Sequence, residues 1–137
     1  MRLISLIRRI HCYDAAGRSM VDLSRHARHI SLPQVGMAGQ QKLSDASVLV
    51  VGAGGLGSPA LLYLAAAGIG RIGIIDDDVV DITNLQRQIL HSTSSIGESK
   101  VDSAKKRIYQ INPEIKVDIF NLRLDVGNAE RIISNYD

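Results

Sequence analysis

A doubly wound α/β fold organised as a nucleotide-binding half is what this sequence predicts, and three observations predict it. Val48–Val51 is an apolar run that enters a glycine series, Gly52, Gly54, Gly55 and Gly57. A second apolar stretch, Arg71-Ile-Gly-Ile-Ile75, ends in three acids, Asp76, Asp77 and Asp78, the first of them nineteen residues beyond Gly57. From residue 48 onward the hydrophobic pattern alternates strand, helix, strand, helix, strand, helix, which is half of a Rossmann-like parallel sheet.

Length and charge bound the alternatives. A chain of 137 residues accommodates one ordinary domain, and 45% hydrophobic with 22% charged residues is the composition of a soluble globular protein. The net charge of +2 gives no general nucleic-acid footprint. The charge is uneven, because residues 1–30 hold six Arg against two Asp and the remainder is slightly acidic. A lone cysteine, Cys12, excludes an internal disulfide and a four-thiolate zinc site within this chain, and suits a reducing, cytoplasmic location. No stretch approaches the ~18 apolar residues of a membrane span, so no membrane partner is expected.

Residues 1–20 read as a leader. Leu3, Ile4, Leu6, Ile7 and Ile10 are interrupted by Arg8 and Arg9, leaving too short an apolar core for a secretory signal. A short amphipathic segment and an irregular leader both fit, and Met20 is an equally good start. Cys12 falls in this leader and is assigned no catalytic role. Residues 21–45 then read as a helical arm. Leu23, Ala27 and Ile30 recur at helical spacing with Arg25 and Arg28 between them, Leu32-Pro33 ends the segment, and a second short helix is expected around Ala38–Leu43. Such an arm is free to lie on a partner subunit.

The domain proper covers residues 46–137. In Gly52-x-Gly54-x-x-Gly57, Gly52 allows the tight turn, Gly54 and Gly55 let backbone N–H groups approach a phosphate, and Gly57 lets the helix pack close to the strand. The helix N-terminus adds unpaired N–H groups and partial positive charge. Ser58 is a capping type, and Pro59 is tolerated in a first turn. Leu61–Ala67 continues the helix and Gly68 caps it. Asp76, at the end of the second strand, occupies the place of an acid that hydrogen-bonds a ribose hydroxyl, with Asp78 the next candidate. Three acids there would repel a 2′-phosphate, which argues against NADP.

Asp81–His91 is a polar insertion carrying Asn84, Gln86, Arg87 and Gln88 within five positions. A short helix pinned by Leu85, Ile89 and Leu90 would leave Asn84, Arg87 and Gln88 on one face, offering a charged donor and amides to a polyphosphate. Gly97-Glu98-Ser99 starts a long helix through Ile111 with Val101, Ala104, Ile108 and Ile111 on one stripe. Lys100 stands in its first turn, against the helix dipole, and phosphate contact is the simplest reason. Lys105-Lys106-Arg107 reads as a solvated face. Asn112-Pro113 stops the helix, Ile115–Phe120 is a third strand, and Asn128–Tyr136 a further helix.

Four segments together resemble the N-terminal part of the ThiF/MoeB/HesA family, bacterial relatives of ubiquitin-activating enzymes. They are R-H-I-S-L-P-Q-V-G at 28–36, V-L-V-V-G-A-G-G-L-G-S-P at 48–59, D-D-D-V-V-D-I-T-N-L-Q-R-Q-I-L at 76–90 and G-E-S-K-V-D-S-A at 97–104. The resemblance implies ATP-dependent adenylation of the C-terminal glycine carboxylate of a ubiquitin-like sulfur-carrier protein, in thiamine or molybdopterin biosynthesis, with release of pyrophosphate. It also implies a homodimer. Carried over by residue, Gly55 meets the nucleotide phosphates and Asp76 the ribose, with Gly52, Gly54 and Gly57 in the same nucleotide-binding loop. Thr83, Asn84, Leu85, Gln86 and Arg87 line the nucleotide, Arg87 and Lys100 neutralise the leaving group, and Asp78 lies near phosphates or metal. Arg28 resembles an arginine inserted into the partner's site. Mg²⁺ bridges phosphate oxygens with few protein ligands.

Family members continue into a fourth strand ending in a metal-binding aspartate, then a crossover segment with a cysteine and often paired Cys-x-x-Cys zinc ligands. This sequence stops at Asn135-Tyr136-Asp137. It is therefore read as the ATP-binding half, truncated before the fourth strand, with Val48–Val51 on an open edge and zinc expected only in a longer chain. Two other readings remain open. An NAD-binding dehydrogenase half-domain shares the glycines and Asp76 but has no use for Asn84–Gln88 or Lys100. A non-catalytic binding or dimerisation module would keep the fold without the chemistry.

Overall fold

The computed structural model describes residues 24–137; the leader, Cys12 and Leu23 lie outside the described residues. Three parallel strands, β1 (Ser47–Val51), β2 (Arg71–Ile75) and β3 (Lys116–Phe120), form a sheet in the order β1-β2-β3. Ser47 pairs with Arg71 and Arg71 with Lys116, so the three strands start level and end level. The crossovers are α3 (Gly57–Ala67) and α4 (Lys100–Ile111), and α5 (Ala129–Ile133) follows β3. As expected, β1 sits at an edge, and Val51 is 58% exposed.

The period-two alternation of the strands divides the sheet into two faces. Ile72, Ile74, Val117 and Ile119 point with Val48 and Val50 into the main core, where Leu61 and Ala65 of α3 and Val101, Ala104 and Ile108 of α4 close over them. Small residues on α3 allow that close packing. On the other face, Tyr136, just beyond α5, lies directly over Gly73: a Cβ there would stand 2.4 Å from the tyrosine ring. Helical segments thus cover both faces, the doubly wound arrangement the alternation predicts.

Before β1, α1 (Ala27–Ile30) and α2 (Gly36–Asp45) form the arm. The expected helix from Val21 is a single turn within the described residues, and the second helix is longer than Ala38–Leu43. The arm is also tied to its own domain rather than left free. Gln40 is fully buried; its Nε2 donates to the Ala67 carbonyl at 2.8 Å, and its Oε1 meets His29 Nδ1 at 2.9 Å. Arg25 donates to the Ile111 carbonyl at 2.7 Å. Among the described residues, no helix is long and apolar enough to cross a membrane.

Candidate functional site

The site is assembled where β1 and β2 end. Gly52 leaves β1 with a φ of +91°, a conformation other L-residues rarely adopt, while its N–H still donates to the Ile75 carbonyl at 2.7 Å. The chain then doubles back into α3. A Cβ on Gly57 would lie 1.8 Å from the Gly52 carbonyl oxygen, so only glycine permits this strand–helix approach. Gly54 and Gly55 differ. A Cβ on either would meet nothing closer than 3.8 Å, the nearest atoms being Gln88 Nε2 and Arg87 Cδ, and neither has positive φ. The fold itself therefore does not require glycine at these two positions.

Ser58 does not cap α3. Leu56 takes the N-cap position, with no side-chain cap bond, and Ser58 is buried, its hydroxyl donating to the Ala53 carbonyl at 3.4 Å. Helical backbone begins two residues earlier than a Ser58 cap requires, which turns that side chain inward.

Asp76 is half-buried against the loop. One carboxylate oxygen accepts from the Ala53 N–H at 2.7 Å and the other from the Asp78 N–H at 2.9 Å. Each oxygen keeps a second acceptor site, so the side chain can hold the loop and still accept from a hydroxyl. Residues 78–80 pair antiparallel with 97–100. Val79 bridges Ser99, Val80 N donates to the Glu98 carbonyl, and Lys100 N donates to the Asp78 carbonyl. This short pairing delivers the first residue of α4 to the end of β2. Lys100 is only 5% exposed, yet its Nζ reaches Asp78 Oδ2 at 2.7 Å, and that carboxylate is 67% exposed. The ammonium is held beside the exposed Asp78 carboxylate, with two of its three donors beyond this bond. Ser99 caps α4 by accepting from the Asp102 N–H.

The segment after Val80 is not the helix expected from Leu85, Ile89 and Leu90. Asp81 accepts from the Thr83 hydroxyl and amide, bonds that hold its carboxyl below the usual range. Asn84 accepts from the Asp81 N–H at 3.3 Å, closing a capping box around a single 3₁₀ turn, Ile82–Asn84. The chain continues through turns, so the 3.6-residue spacing fails. Leu90 is buried and Leu85 half-buried, but Ile89 is 57% exposed and Gln88 points inward. Arg87 and Gln88 lie over Gly55 and Gly54, while Asn84 and Thr83 are engaged in shaping the turn. Gln86 is exposed. Gln88 Oε1 is buried without a partner among the described residues.

Around the end of the sheet, Gly52, Ile75, Asp76, Asp77 and Asp78 share a cleft of about 270 Å³ with Leu122, Arg123 and Leu124. The last three follow β3 after Asn121 and were not singled out by the sequence reading, although their apolar–charged–apolar alternation carries the strand pattern onward. His91 was also missed. It is buried beneath the glycine loop, where Nε2 meets the Ala53 carbonyl and Nδ1 the Ser103 hydroxyl, each at 2.9 Å. Burial and the nearby Lys100 charge depress its pKa, against the opposing pull of the Ala53 carbonyl and Asp76. Arg28 is exposed on α1 and takes no part in this cleft.

Comparison with known proteins agrees with this geometry. The ThiF family model matches residues 26–137. A probable molybdopterin-synthase adenylyltransferase of Porphyra purpurea is 56% identical over 119 residues, covering 87% of this chain and 31% of the relative. The adenylyltransferase and sulfurtransferase UBA4 of Scheffersomyces stipitis is 55% identical over 117 residues, covering 85% of this chain and 26% of its own length. The chain spans about a third or less of these curated relatives. Among solved structures, the E. coli tRNA N6-threonylcarbamoyladenosine dehydratase TcdA in complex with ATP superposes with a TM-score of 0.78 at 36% identity, over 84% of this chain and 47% of that one. With a family match over nearly all the described residues, and the same fold in a solved relative, the chain belongs to the ThiF family.

Proposed function

We propose that this chain supplies the ATP-binding half of an adenylyltransferase that activates the C-terminal glycine carboxylate of a ubiquitin-like sulfur-carrier protein. The observation that carries the reading is the convergence of two glycines the fold does not need, Gly54 and Gly55, with Asp76, Arg87 and Lys100 at one end of the sheet. Ligands in open α/β sheets bind outside the carboxyl ends of the strands, and first-turn helix amides have no intrahelical partners. Relatives named as adenylyltransferases share more than half of the aligned residues, against 36% for TcdA, which favours the sulfur carrier as substrate.

In this reading the loop amides take the phosphates and Asp76 the ribose. Arg87, beside Gly55, and Lys100, oriented by Asp78, hold the pyrophosphate as the substrate carboxylate attacks the α-phosphorus and the phosphoanhydride bond breaks. Thr83, Asn84, Leu85 and Gln86 act chiefly by fixing where Arg87 emerges. A magnesium ion fits here if held mainly by phosphate oxygens: carboxylate oxygens of Asp76, Asp77 and Asp78 lie within 4.8 Å of one another, although Asp76 and Asp78 already have protein partners. When bound, it would neutralise phosphate charge.

The homodimer belongs to the same proposal. Leu56 and Tyr63 are 91% and 77% exposed on the outer side of α3, a helix apolar all round, and Arg28 stands on a surface from which a second subunit could be reached. Beyond Ser47, which bonds Asp137, the edge of β1 lies open beside a mainly apolar groove of about 400 Å³ running from Ala46 to Val51 and closed by Ile133 and Tyr136, a surface on which a further strand would fit.

A thermal melt with MgATP and with NAD tests the nucleotide, since only a ligand of the folded state raises the midpoint. MgATP is expected to raise it and NAD not; the reverse would restore the dehydrogenase reading. In a titration, Arg87→Ala is expected to weaken MgATP at least about tenfold, whereas Lys106→Ala, paired with Glu98 on the far side of α4, leaves it unchanged.

A further inference from the structure

Ala53 is the one residue of the glycine loop whose peptide groups are held on both sides. It is fully buried, its N–H donates to Asp76, and its carbonyl faces His91 Nε2 at 2.9 Å. A carbonyl can only accept, so the proton must be on Nε2. In the neutral ring Nδ1 is then the acceptor, and the Ser103 hydroxyl at 2.9 Å is its donor. Ser103 lies on α4 one turn beyond Lys100, so a single imidazole joins the glycine loop to the helix that carries the lysine.

We infer that His91 is a positioning residue: by fixing the Ala53 carbonyl from α4 while Asp76 fixes its N–H, it sets the direction of the following loop amides for phosphate. Both ring nitrogens are taken, by Ala53 and by Ser103, so the ring acts through the loop and not on the substrate. Burial and Lys100 keep it neutral, the state in which the donor–acceptor order just described is complete. The phosphate part of this inference rests on the proposed nucleotide site; the loop part does not.

The test uses two amides of different length in the full chain. The side-chain nitrogen of glutamine reaches about as far as Nε2 and can still donate to Ala53, whereas that of asparagine reaches only the Nδ1 position. With exchange referenced to the Ile74 amide in β2, His91→Asn is expected to speed exchange of the Ala53 amide about tenfold and to weaken MgATP by a similar factor, while His91→Gln stays within about threefold on both. Equal behaviour of the two variants, or an unmoved Ala53 amide in both, overturns the inference. If the wild-type chain itself binds no MgATP, the nucleotide reading fails, and the exchange arm still decides the role of His91. Nitrogen-resolved spectra of the wild-type imidazole need no variant: protonation at Nε2 is expected, and protonation at Nδ1 would refute the arrangement.

Discussion

The two ends of the same sheet are built for different purposes. At the amino end, Arg71 on β2 donates to Asp118 on β3 at 2.6 Å, the Tyr136 hydroxyl donates to the same oxygen at 3.0 Å, and the guanidinium lies 4.7 Å above the tyrosine ring. The hydrogen bond from Arg71's guanidinium to Asp118 raises the arginine's pKa. Burial opposes ionisation of Asp118, but the bonds from Arg71 and Tyr136 and the arginine's charge outweigh it and hold the carboxyl low. The charges of Arg71 and Asp118 are matched there, and Tyr136 completes the set. At the carboxyl end the charges are arranged differently. Lys100 is bonded to a carboxylate that faces water, Arg87 reaches only the Thr83 carbonyl at 3.2 Å, and Gln88 keeps a buried oxygen unpartnered. Saturated polar groups brace a fold, and unsaturated ones at a cleft await a ligand.

The glycines divide along the same line, and the largest effect is expected from separating them. Gly57→Ala places a methyl against the Gly52 carbonyl, a backbone atom that cannot swing aside, and should cost about 3 kcal/mol in denaturant unfolding. Gly54→Ala meets only ordinary contacts and should stay within about 0.5 kcal/mol. MgATP affinity should nevertheless fall in Gly54→Ala, because in the proposed site the methyl takes space the phosphates would occupy. A Gly54→Ala protein that bound normally would remove the loop from the site.

Lys100→Met sharpens the contrast next. Its loss should weaken MgATP about tenfold to thirtyfold, the worth of a charge-assisted bond, with little change in melting temperature, since Asp78 is left exposed to water. At the opposite end, Asp118→Ala removes the acceptor of both Arg71 and Tyr136 and should cost about 1–2 kcal/mol of stability without altering MgATP affinity. If Asp118→Ala weakened MgATP as much as Lys100→Met, the two ends would not be functionally distinct.

Local chemistry explains which of these features could be read from the sequence. The limits of β2, the capping of α3 by Gly68, the stripe Val101–Ala104–Ile108 and the edge position of β1 follow from apolar period, glycine chemistry and the order of elements. Where the reading missed, either one local preference had overridden another or a contact distant in sequence had set the position. Ser58 looks like a cap but faces Ala53 in the interior. Leu85, Ile89 and Leu90 look helical, but the Asp81–Asn84 capping box ends the turn after three residues and sends Ile89 out and Gln88 in. Lys100 was singled out because it breaks the dipole rule, and its Asp78 partner, 22 residues away, could not be deduced from that alone. His91 breaks no local rule, and only its bond to Ala53, 38 residues distant, marks it.

That histidine also gives the smallest predicted effect. Its pKa in the folded chain is lowered below the ordinary 6.5, chiefly by burial, so the unfolded chain binds more protons just below that value. Its contribution to stability is therefore complete above pH 6.5 and declines as the pH falls from there toward the folded-state pKa. The carboxyls of Asp81, Asp118 and Asp137 are shifted downward from 3.8, so their contributions are lost only in stronger acid and do not overlap this window. Melting temperatures measured between pH 7.5 and 5.5, with intervals chosen about the histidine value, should fall more steeply for the wild type than for His91→Gln. The difference between the two curves isolates His91 from other titrating histidines. Parallel curves would mean that the imidazole is protonated as readily in the folded chain as in the unfolded one. The Ser103 hydroxyl would then turn to accept from a protonated Nδ1 at no cost, and the neutral donor–acceptor order would not be what holds the loop at the carboxyl end.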